Sequence, residues 1–171
     1  MHARPKLSAL TVVVAVALAG CGSTARPADL PAAEAVTVDD AWVKAAESGR
    51  SAAFGRIENT GDADVTVVSA SSPASTILEL QETVENDTGE MVMRERDGGF
   101  TIPAGTALVL EPGANHIMLM DLVDPVRAGD DVTLTLTFSD DSTLAFTAPA
   151  KDYSGANESY VDGEDMDMGD Q

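Results

Sequence analysis

The sequence predicts an all-β protein with a β-sandwich fold, and two observations carry the prediction. Residues 36–149 consist of short alternating or β-branched runs separated by turn-forming segments rich in Gly, Asn, Asp and Pro. No stretch in this range keeps a 3.6-residue apolar period long enough for a substantial helix. Because a strand that is apolar on one face has to bury that face against another layer, two packed sheets are expected.

The strands are predicted in chain order from these runs, and the clearest spans residues 132–138. There Leu134, Leu136 and Phe138 share one face while threonines occupy the other, which is the alternation of a half-buried strand. The predicted strands span residues 36–43, 52–58, 65–70, 76–83, 90–96, 106–110, 116–122, 132–138 and 143–147.

The length and charge of the chain limit the number of domains it can form and the kinds of partner it can bind. A chain of 171 residues has room for one domain of ordinary size with additional segments at its ends. The 10 Lys and Arg against 29 Asp and Glu give a formal net charge of -19, which repels a phosphate backbone and excludes nucleic-acid binding. The hydrophobic fraction of 44% is sufficient for a core, and because only 4% of residues are aromatic, that core must rest on Val, Leu, Ile and Ala.

The two ends of the chain differ in composition from the middle. Residues 1–20 combine a basic start, Arg4 and Lys6, with an uncharged apolar run that is too short to span a bilayer, as in a signal peptide. Residues 21–35 are rich in Ala and Pro and predict a flexible linker. Residues 151–171 contain seven acidic residues and almost no aliphatic ones, which predicts a disordered acidic tail. The folded domain is therefore expected at residues 36–150.

The single cysteine, Cys21, excludes a disulfide within the chain and a paired-thiolate metal site. It ends the sequence Leu18-Ala19-Gly20-Cys21, which resembles the bacterial lipobox. In a lipobox the signal peptidase cuts before the cysteine, whose sulfur then carries diacylglycerol. The resemblance implies an extracytoplasmic protein that is lipid-anchored to the cell membrane. The alternative is an ordinary signal peptide with a cysteine at this position by chance.

Methionines and a histidine gather on one face of two predicted strands. Side chains alternate along a strand, so His116, Met118 and Met120 share a face, and Met91 and Met93 share a face of another strand. Thioether sulfur and imidazole nitrogen without a thiolate suit Cu(I) better than zinc, magnesium or calcium. The pattern therefore predicts a Cu(I) site. The alternative is that these methionines fill the second face of a sandwich strand, because Met packs irregular cores well.

The segment from residue 38 to 149 resembles the periplasmic copper chaperone family PCuAC, whose members have a cupredoxin-like Greek-key β-sandwich. The resemblance runs in order through almost all of the predicted domain. The matching stretches are DAWV at 40–43, AAFGRIENTG at 52–61, MVMR at 91–94, IPAG at 102–105, LEPG at 110–113, HIMLMDL at 116–122 and LTLTF at 134–138.

The family's copper motif is a His, a Met about a dozen residues later, and a His-any-Met pair about twenty-two residues beyond that Met. Met93 falls on the motif methionine, and His116 with Met118 falls on the closing pair. The interval between Met93 and His116 is one residue longer than usual, which a turn at residues 97–99 absorbs. The resemblance thus implies Met93, His116 and Met118 as copper ligands.

The first histidine of the motif is replaced by Gln81, whose carbonyl oxygen is a hard and weak ligand for Cu(I). Strand alternation still directs Gln81 toward the predicted site. Met91 or Met120 are candidates to complete the ligand set, as are Met166 and Met168 of the acidic tail.

The resemblance implies a monomeric Cu(I) chaperone that delivers copper to the binuclear copper centre in the copper-bearing subunit of cytochrome c oxidase. An enzyme is not expected, because the chain after residue 21 contains one histidine, no cysteine and no Gly-rich phosphate loop. The alternative function is a non-metal-binding envelope lipoprotein of the same fold that acts as an interaction module, and Gln81 is the residue that favours it.

Overall fold

A computed structural model describes residues 30–154 of the chain, and this part contains one short helix and ten strands. The elements are α1 Ala32–Ala35, β1 Val36–Lys44, β2 Ser51–Asn59, β3 Val65–Ser71, β4 Leu78–Glu85, β5 Met91–Glu95, β6 Phe100–Ile102, β7 Ala107–Leu110, β8 His116–Leu119, β9 Asp131–Phe138 and β10 Thr143–Lys151.

The strands are hydrogen-bonded in the order β5-β4-β8-β2-β1-β10-β9-β3-β6, and β7 pairs with the second half of β2. Every pairing is antiparallel except the short parallel contact between β1 and β10, where Val43 lies opposite Ala150 and Lys44 opposite Lys151. This contact divides the order into a first sheet, which contains β1, β2, β4, β5, β7 and β8, and a second sheet, which contains β3, β6, β9 and β10.

The two sheets share one apolar core, as a sandwich requires. In β9 the residues Val132, Leu134, Leu136 and Phe138 are all buried, because alternation places them on the inner face. Other fully buried core residues include Val43, Ile57, Ile117 and Leu119 of the first sheet and Val67 and Ile102 of the second. The all-β prediction is therefore confirmed. Within residues 30–154, no helix is long and apolar enough to cross a membrane.

Each predicted strand is present with ends shifted by a few residues, and β6 was not predicted. This strand is only three residues long, but Phe100 and Ile102 are buried and it pairs with β3. It begins directly after Gly99, where a Cβ atom would lie 2.0 Å from the carbonyl oxygen of Val67. The chain can approach β3 this closely because Gly99 has no side chain.

The ordered domain extends beyond the predicted limits at both ends. At the start, α1 lies inside the predicted flexible linker and is held by the turn between β9 and β10. The Asp140 carboxylate accepts a hydrogen bond from the Ala32 amide (2.8 Å), and the Ser142 hydroxyl accepts one from the Ala33 amide (3.0 Å). We call this arrangement the α1 clamp. Residues 1–29, which contain the predicted signal peptide and most of the linker, lie outside the described residues.

At the other end, β10 continues through Lys151, the first residue of the predicted tail. Beyond it, the ring of Tyr153 packs edge-on against Trp42 with 5.4 Å between the ring centroids. The tail from residue 155 onward is outside the described part of the chain.

A β-bulge in β1 orients the aromatic side chains that flank the site described below. β1 carries one extra residue opposite Gly55, and Asp40 in the bulge has a φ of 52°. A Cβ atom on Gly55 would lie 2.9 Å from the Cα atom of Ala41, so the bulge depends on glycine there. After the bulge, Trp42 lies opposite Phe54, and both face away from the core.

Candidate metal centre

Three of the predicted ligands, Met93, His116 and Met118, line one cavity on the outer face of the first sheet, the face directed away from the core. The cavity has a volume of about 40 Å³. It is small and mostly walled by side chains without charge. The other lining residues are Ala52, Phe54, Pro112 and Gly113.

Strand register brings these residues together. β8 lies between β4 and β2, so that Met118 is opposite Ala52 on β2 and His116 is opposite Gln81 on β4. Directly opposite residues of an antiparallel pair point to the same side of the sheet. On the far side of β4, Met93 of β5 extends the same face. β5 and β8, which lie on either side of β4, therefore bring Met93 to the same face of the sheet as His116 and Met118.

The three donor side chains differ in solvent exposure, so one side of the cavity is more accessible than the other. His116 and Met93 are 2% and 5% exposed, whereas Met118 is half-buried. An ion held by these donors would thus contact buried ligands on one side and a partly accessible thioether on the other. This partial openness differs from a structural metal site, in which protein ligands close around the ion.

The hydrogen bond of His116 fixes which ring nitrogen can act as a ligand. Its Nδ1 lies 2.9 Å from the carbonyl oxygen of Ala114, and because a carbonyl only accepts, Nδ1 is the protonated nitrogen of the neutral ring. The lone pair for a metal is then on Nε2. The Thr83 hydroxyl donates to the same carbonyl oxygen at 3.2 Å. The backbone turn before β8 is thus bonded to both the histidine and the neighbouring strand β4, an arrangement that orients metal-binding histidines in proteins.

Aromatic rings cover the cavity on the β2 side. The ring centroids of Phe54 and His116 are 6.2 Å apart, and those of Phe54 and Trp42 are 4.5 Å apart. Phe54 lines the cavity directly, and Trp42 packs against Phe54. An apolar wall of this kind favours a soft monovalent ion over a strongly hydrated divalent one.

An ion-pair cluster on the opposite face of β4 and β5 secures β5, which carries Met93. The carboxylate of Glu82 pairs with Arg94 (2.9 Å) and with Arg96. Burial raises the pKa of Glu82, but the hydrogen bonds and charges of the two guanidinium groups outweigh burial, so that its pKa is lowered overall. Glu82 therefore stays ionised at neutral pH, and the pairs hold β5 against β4.

The other predicted ligands within residues 30–154 do not line the cavity. Gln81 lies on the correct face and is fully buried, but its amide nitrogen donates to a carboxylate oxygen of Glu79 at 2.6 Å. Met120 follows the last residue of β8, and its amide donates to the carbonyl oxygen of Ile77 at 2.9 Å. Met91 is 62% exposed at the start of β5.

Cys21, Met166 and Met168 lie outside the described residues, so the structure does not bear on their predicted roles.

Several residues of the site were not singled out from the sequence. Phe54, Pro112 and Gly113 form part of the cavity wall, and the carbonyl of Ala114 orients the histidine. A turn such as 112–115 directly before His116 is visible in the sequence, but its fold over the ring is not. Phe54 is two residues after Ala52 and therefore shares its face, yet the run Ala-Ala-Phe contains no polar residue to show which face is outward.

The chemical types of the donor atoms indicate which metal ion this site would bind. Within residues 30–154, no group of three or more His, Cys, Asp or Glu residues could hold a metal ion, so hard oxygen-donor sites and thiolate zinc sites find no support there. One imidazole and two thioethers remain. These are neutral, soft to borderline donors, and the ion that suits them is Cu(I).

Comparison with known proteins agrees with the fold and with the family. The LpqE-like lipoprotein family model matches residues 36–150. A protein of Leifsonia xyli subsp. xyli, Lxx21020, whose name describes it as a lipoprotein, is 47% identical over 163 residues, which cover 91% of this chain and 96% of its own.

Among solved structures, DR1885 from Deinococcus radiodurans is similar in both its apo and its Cu(I) form. The apo form is 30% identical with a TM-score of 0.55 and covers 86% of this chain and 98% of its own. The Cu(I) form is 28% identical with a TM-score of 0.55, over 73% of this chain and 85% of its own.

A copper-bound PCuAC domain from PmoF2 is similar in fold, with a TM-score of 0.58 and 15% identity over 70% of this chain and 94% of its own. The cupredoxin-like sandwich implied by the sequence resemblance is thereby confirmed. The chain belongs to the LpqE-like lipoprotein family, and its domain has the fold of PCuAC domains.

Proposed function

We propose that this protein is an extracytoplasmic, lipid-anchored copper chaperone that binds one Cu(I) through the sulfur atoms of Met93 and Met118 and through Nε2 of His116. The observation that carries the proposal is the cavity that these three side chains line together. The fixed tautomer of His116 supports it, because the hydrogen bond to Ala114 leaves Nε2 as the nitrogen with a lone pair.

Charge balance favours a monovalent ion at this site. The three donors are neutral, so bound Cu(I) keeps its single positive charge. The chain around it is strongly acidic, with a formal net charge of -19, and this field attracts and stabilises a cation. A divalent ion would lack the carboxylates or thiolates that normally neutralise it.

Relatives support the same function. DR1885, which is 28% identical in its Cu(I) form, is a protein whose solved structure is named for bound Cu(I). The family name and the name of the Leifsonia protein both describe lipoproteins, in agreement with acylation of Cys21 in the lipobox. Lipidation there would place the domain outside the cytoplasm.

Transfer to another protein is the function that best fits this ligand set. Three soft donors with a partly exposed Met118 leave room for a donor from a second molecule, and Cu(I) exchanges by gaining one ligand before losing another. Among the lining residues only His116 could act as a general acid or base, and the proposal uses it as a copper ligand, so we propose no reaction at the cavity. The sequence resemblance favours the copper-bearing subunit of cytochrome c oxidase as the acceptor and a monomer as the active form.

Gln81 favours a second candidate function, in which the domain has kept the sandwich and lost copper delivery. It replaces the first histidine of the family motif and bonds to Glu79 without lining the cavity. In this case the protein would act as an envelope interaction module.

A Cu(I) competition titration of the full chain separates the two functions. Met118→Leu and Met93→Leu keep side-chain volume and remove one sulfur each, so each should weaken Cu(I) binding at least about tenfold, or about 1.4 kcal/mol. Met120→Leu is the matched control, since Met120 does not line the cavity and should leave affinity unchanged. Far-ultraviolet circular dichroism should remain that of a β protein in all three variants.

His116→Ala should abolish most of the affinity, but His116 is buried, and its loss can also affect folding. The isosteric methionine variants therefore decide the question. A wild-type chain that binds Cu(I) no better than free methionine would refute the proposal, and the interaction-module function would then be preferred.

A further inference from the structure

Met91 is an exposed thioether on β5, two residues before the cavity residue Met93, and it belongs neither to the core nor to the proposed ligand set. It is 62% exposed at the start of β5, while Met93, two residues later, is 5% exposed. The β4–β5 pairing runs without a register shift, with Met91 opposite Glu85 and Met93 opposite Thr83. Since no bulge interrupts alternation, both methionines lie on the same face of the sheet.

The spacing allows both sulfur atoms to reach one ion. Residues two apart in a strand are separated by about 6.6 Å along its axis. Methionine has three rotatable bonds and adapts its position readily, so Met91 can bend toward the cavity or extend into solvent without moving the backbone. Met93 is held by the cavity wall, and Met91 is not.

The position of β5 makes this approach accessible. Among the described strands, β5 is at the end of the hydrogen-bonded order and pairs only with β4. Glu85 is directly opposite Met91, and Glu95 is on the same face two residues beyond Met93. Carboxylates that flank a thioether raise the local concentration of cations without binding Cu(I) strongly themselves.

We propose, building on the proposed function, that Met91 is an exchange ligand: it contacts Cu(I) during entry and departure but is absent from the resident set. The partner is a molecule that carries Cu(I) on accessible sulfur donors. In the step, the Met91 sulfur forms a bond to copper while the donor still holds it. The donor sulfur then leaves, Met93, Met118 and His116 bind the ion, and the bond between copper and the Met91 sulfur breaks. Copper remains Cu(I) throughout, and neither an electron nor a proton is transferred.

A ligand used only in passage affects rates and leaves the equilibrium unchanged. If Met91 contacts copper only along the path, its loss raises the barrier for entry and departure equally, because both directions of one transfer pass through the same transition state. Met91→Leu should therefore slow both directions by about the same factor. A resident ligand would instead change affinity, mainly through the rate of departure.

The test uses Met91→Leu in the full chain, with Met120→Leu as the matched methionine control. Cu(I) loading from Cu(I)-glutathione and removal by bicinchoninate are followed by stopped-flow absorbance, and affinity is measured by equilibrium competition. We expect both rates to fall at least about fivefold in Met91→Leu while its affinity stays within about twofold of wild type. The control should match wild type in both.

Two outcomes would overturn the inference while leaving the proposed function intact. If Met91→Leu lowers affinity as much as Met93→Leu does, then Met91 is a resident ligand. If Met91→Leu changes neither rates nor affinity, the exposed side chain has no part in exchange. A wild-type chain without Cu(I) affinity would overturn the proposed function and this inference together.

Discussion

Replacing Gln81 with histidine tests the geometry of the site most directly. Gln81 is opposite His116 in the β4–β8 pair, so the Cβ atoms of the two residues are expected about 4.5 to 5.5 Å apart. Both side chains point to the outer face of the first sheet. Two imidazoles at directly opposite positions of neighbouring strands can reach a single ion, and Gln81→His restores the histidine that the family motif has at this position.

Gln81→His is expected to raise the affinity for Cu(I) and to lower the folding stability of the apo protein. Adding an imidazole nitrogen as a fourth donor to the three proposed ligands should tighten Cu(I) binding at least about tenfold, or about 1.4 kcal/mol. The variant also loses the partly buried 2.6 Å hydrogen bond from Gln81 to Glu79, which should lower folding stability by about 1 kcal/mol. Apo Gln81→His should thus melt slightly below the wild type, whereas its Cu(I) affinity should rise.

Cu(I) competition titrations on wild type, Gln81→His, His116→Ala and the double variant form a thermodynamic cycle. If residues 81 and 116 share one ion, the gain from Gln81→His should disappear in the His116→Ala background, because ligands of one site are strongly coupled. Unchanged affinity in Gln81→His would refute the placement of residue 81 beside the copper. An equal gain in both backgrounds would mean that the new histidine binds copper elsewhere.

Three further predictions concern the anchor and the fold. Cys21→Ala should prevent lipid attachment, so the variant should leave the detergent phase in phase partitioning; retention there would contradict the lipobox assignment. Gly55→Ala should destabilise the domain by about 1 to 3 kcal/mol in urea unfolding, because its φ is 149° and the new Cβ would lie 2.9 Å from a β1 Cα atom. Gly105→Ala, with open space around it, should cost less. Hydrogen bonds from a serine hydroxyl and an α1 amide lower the pKa of Asp140, so its stabilising effect should be present above about pH 4 and fade as the pH falls through the lowered pKa. Asp140→Asn should therefore be less stable than wild type at neutral pH, and the difference should shrink at pH 3 in thermal melts.

Strand alternation, which is a local property, accounts for most of what the sequence could predict. It predicts the buried face of β9 at Leu134, Leu136 and Phe138, and the structure buries all three. The same rule assigns His116 and Met118 to one face of β8, and both line the cavity. The rule cannot predict distance within a face, because that depends on register and on where a strand ends. Met120 follows the end of β8 and therefore lies outside the cavity wall.

The features that the sequence did not predict depend on contacts between distant parts of the chain. The α1 clamp joins Ala32 to Asp140, which is 108 residues away, and a four-residue helix has no periodicity that a sequence window could detect. β6 is equally short, and its pairing with β3 depends on the close approach at Gly99. The turn before His116 likewise depends on a distant residue, because the hydroxyl of Thr83 on β4 donates to the Ala114 carbonyl oxygen that also bonds to His116.

The α1 clamp also limits how far the domain can travel from the membrane. In the lipid-anchored protein proposed above, the tether runs from Cys21 only to Ala32, because the clamp fixes the chain from that residue onward. A tether of this length extends at most about 38 Å. An acceptor in the same membrane would share the thin layer within this distance of the bilayer, so the two proteins would meet at a higher local concentration than in free solution. Modest affinity between them would then suffice for transfer.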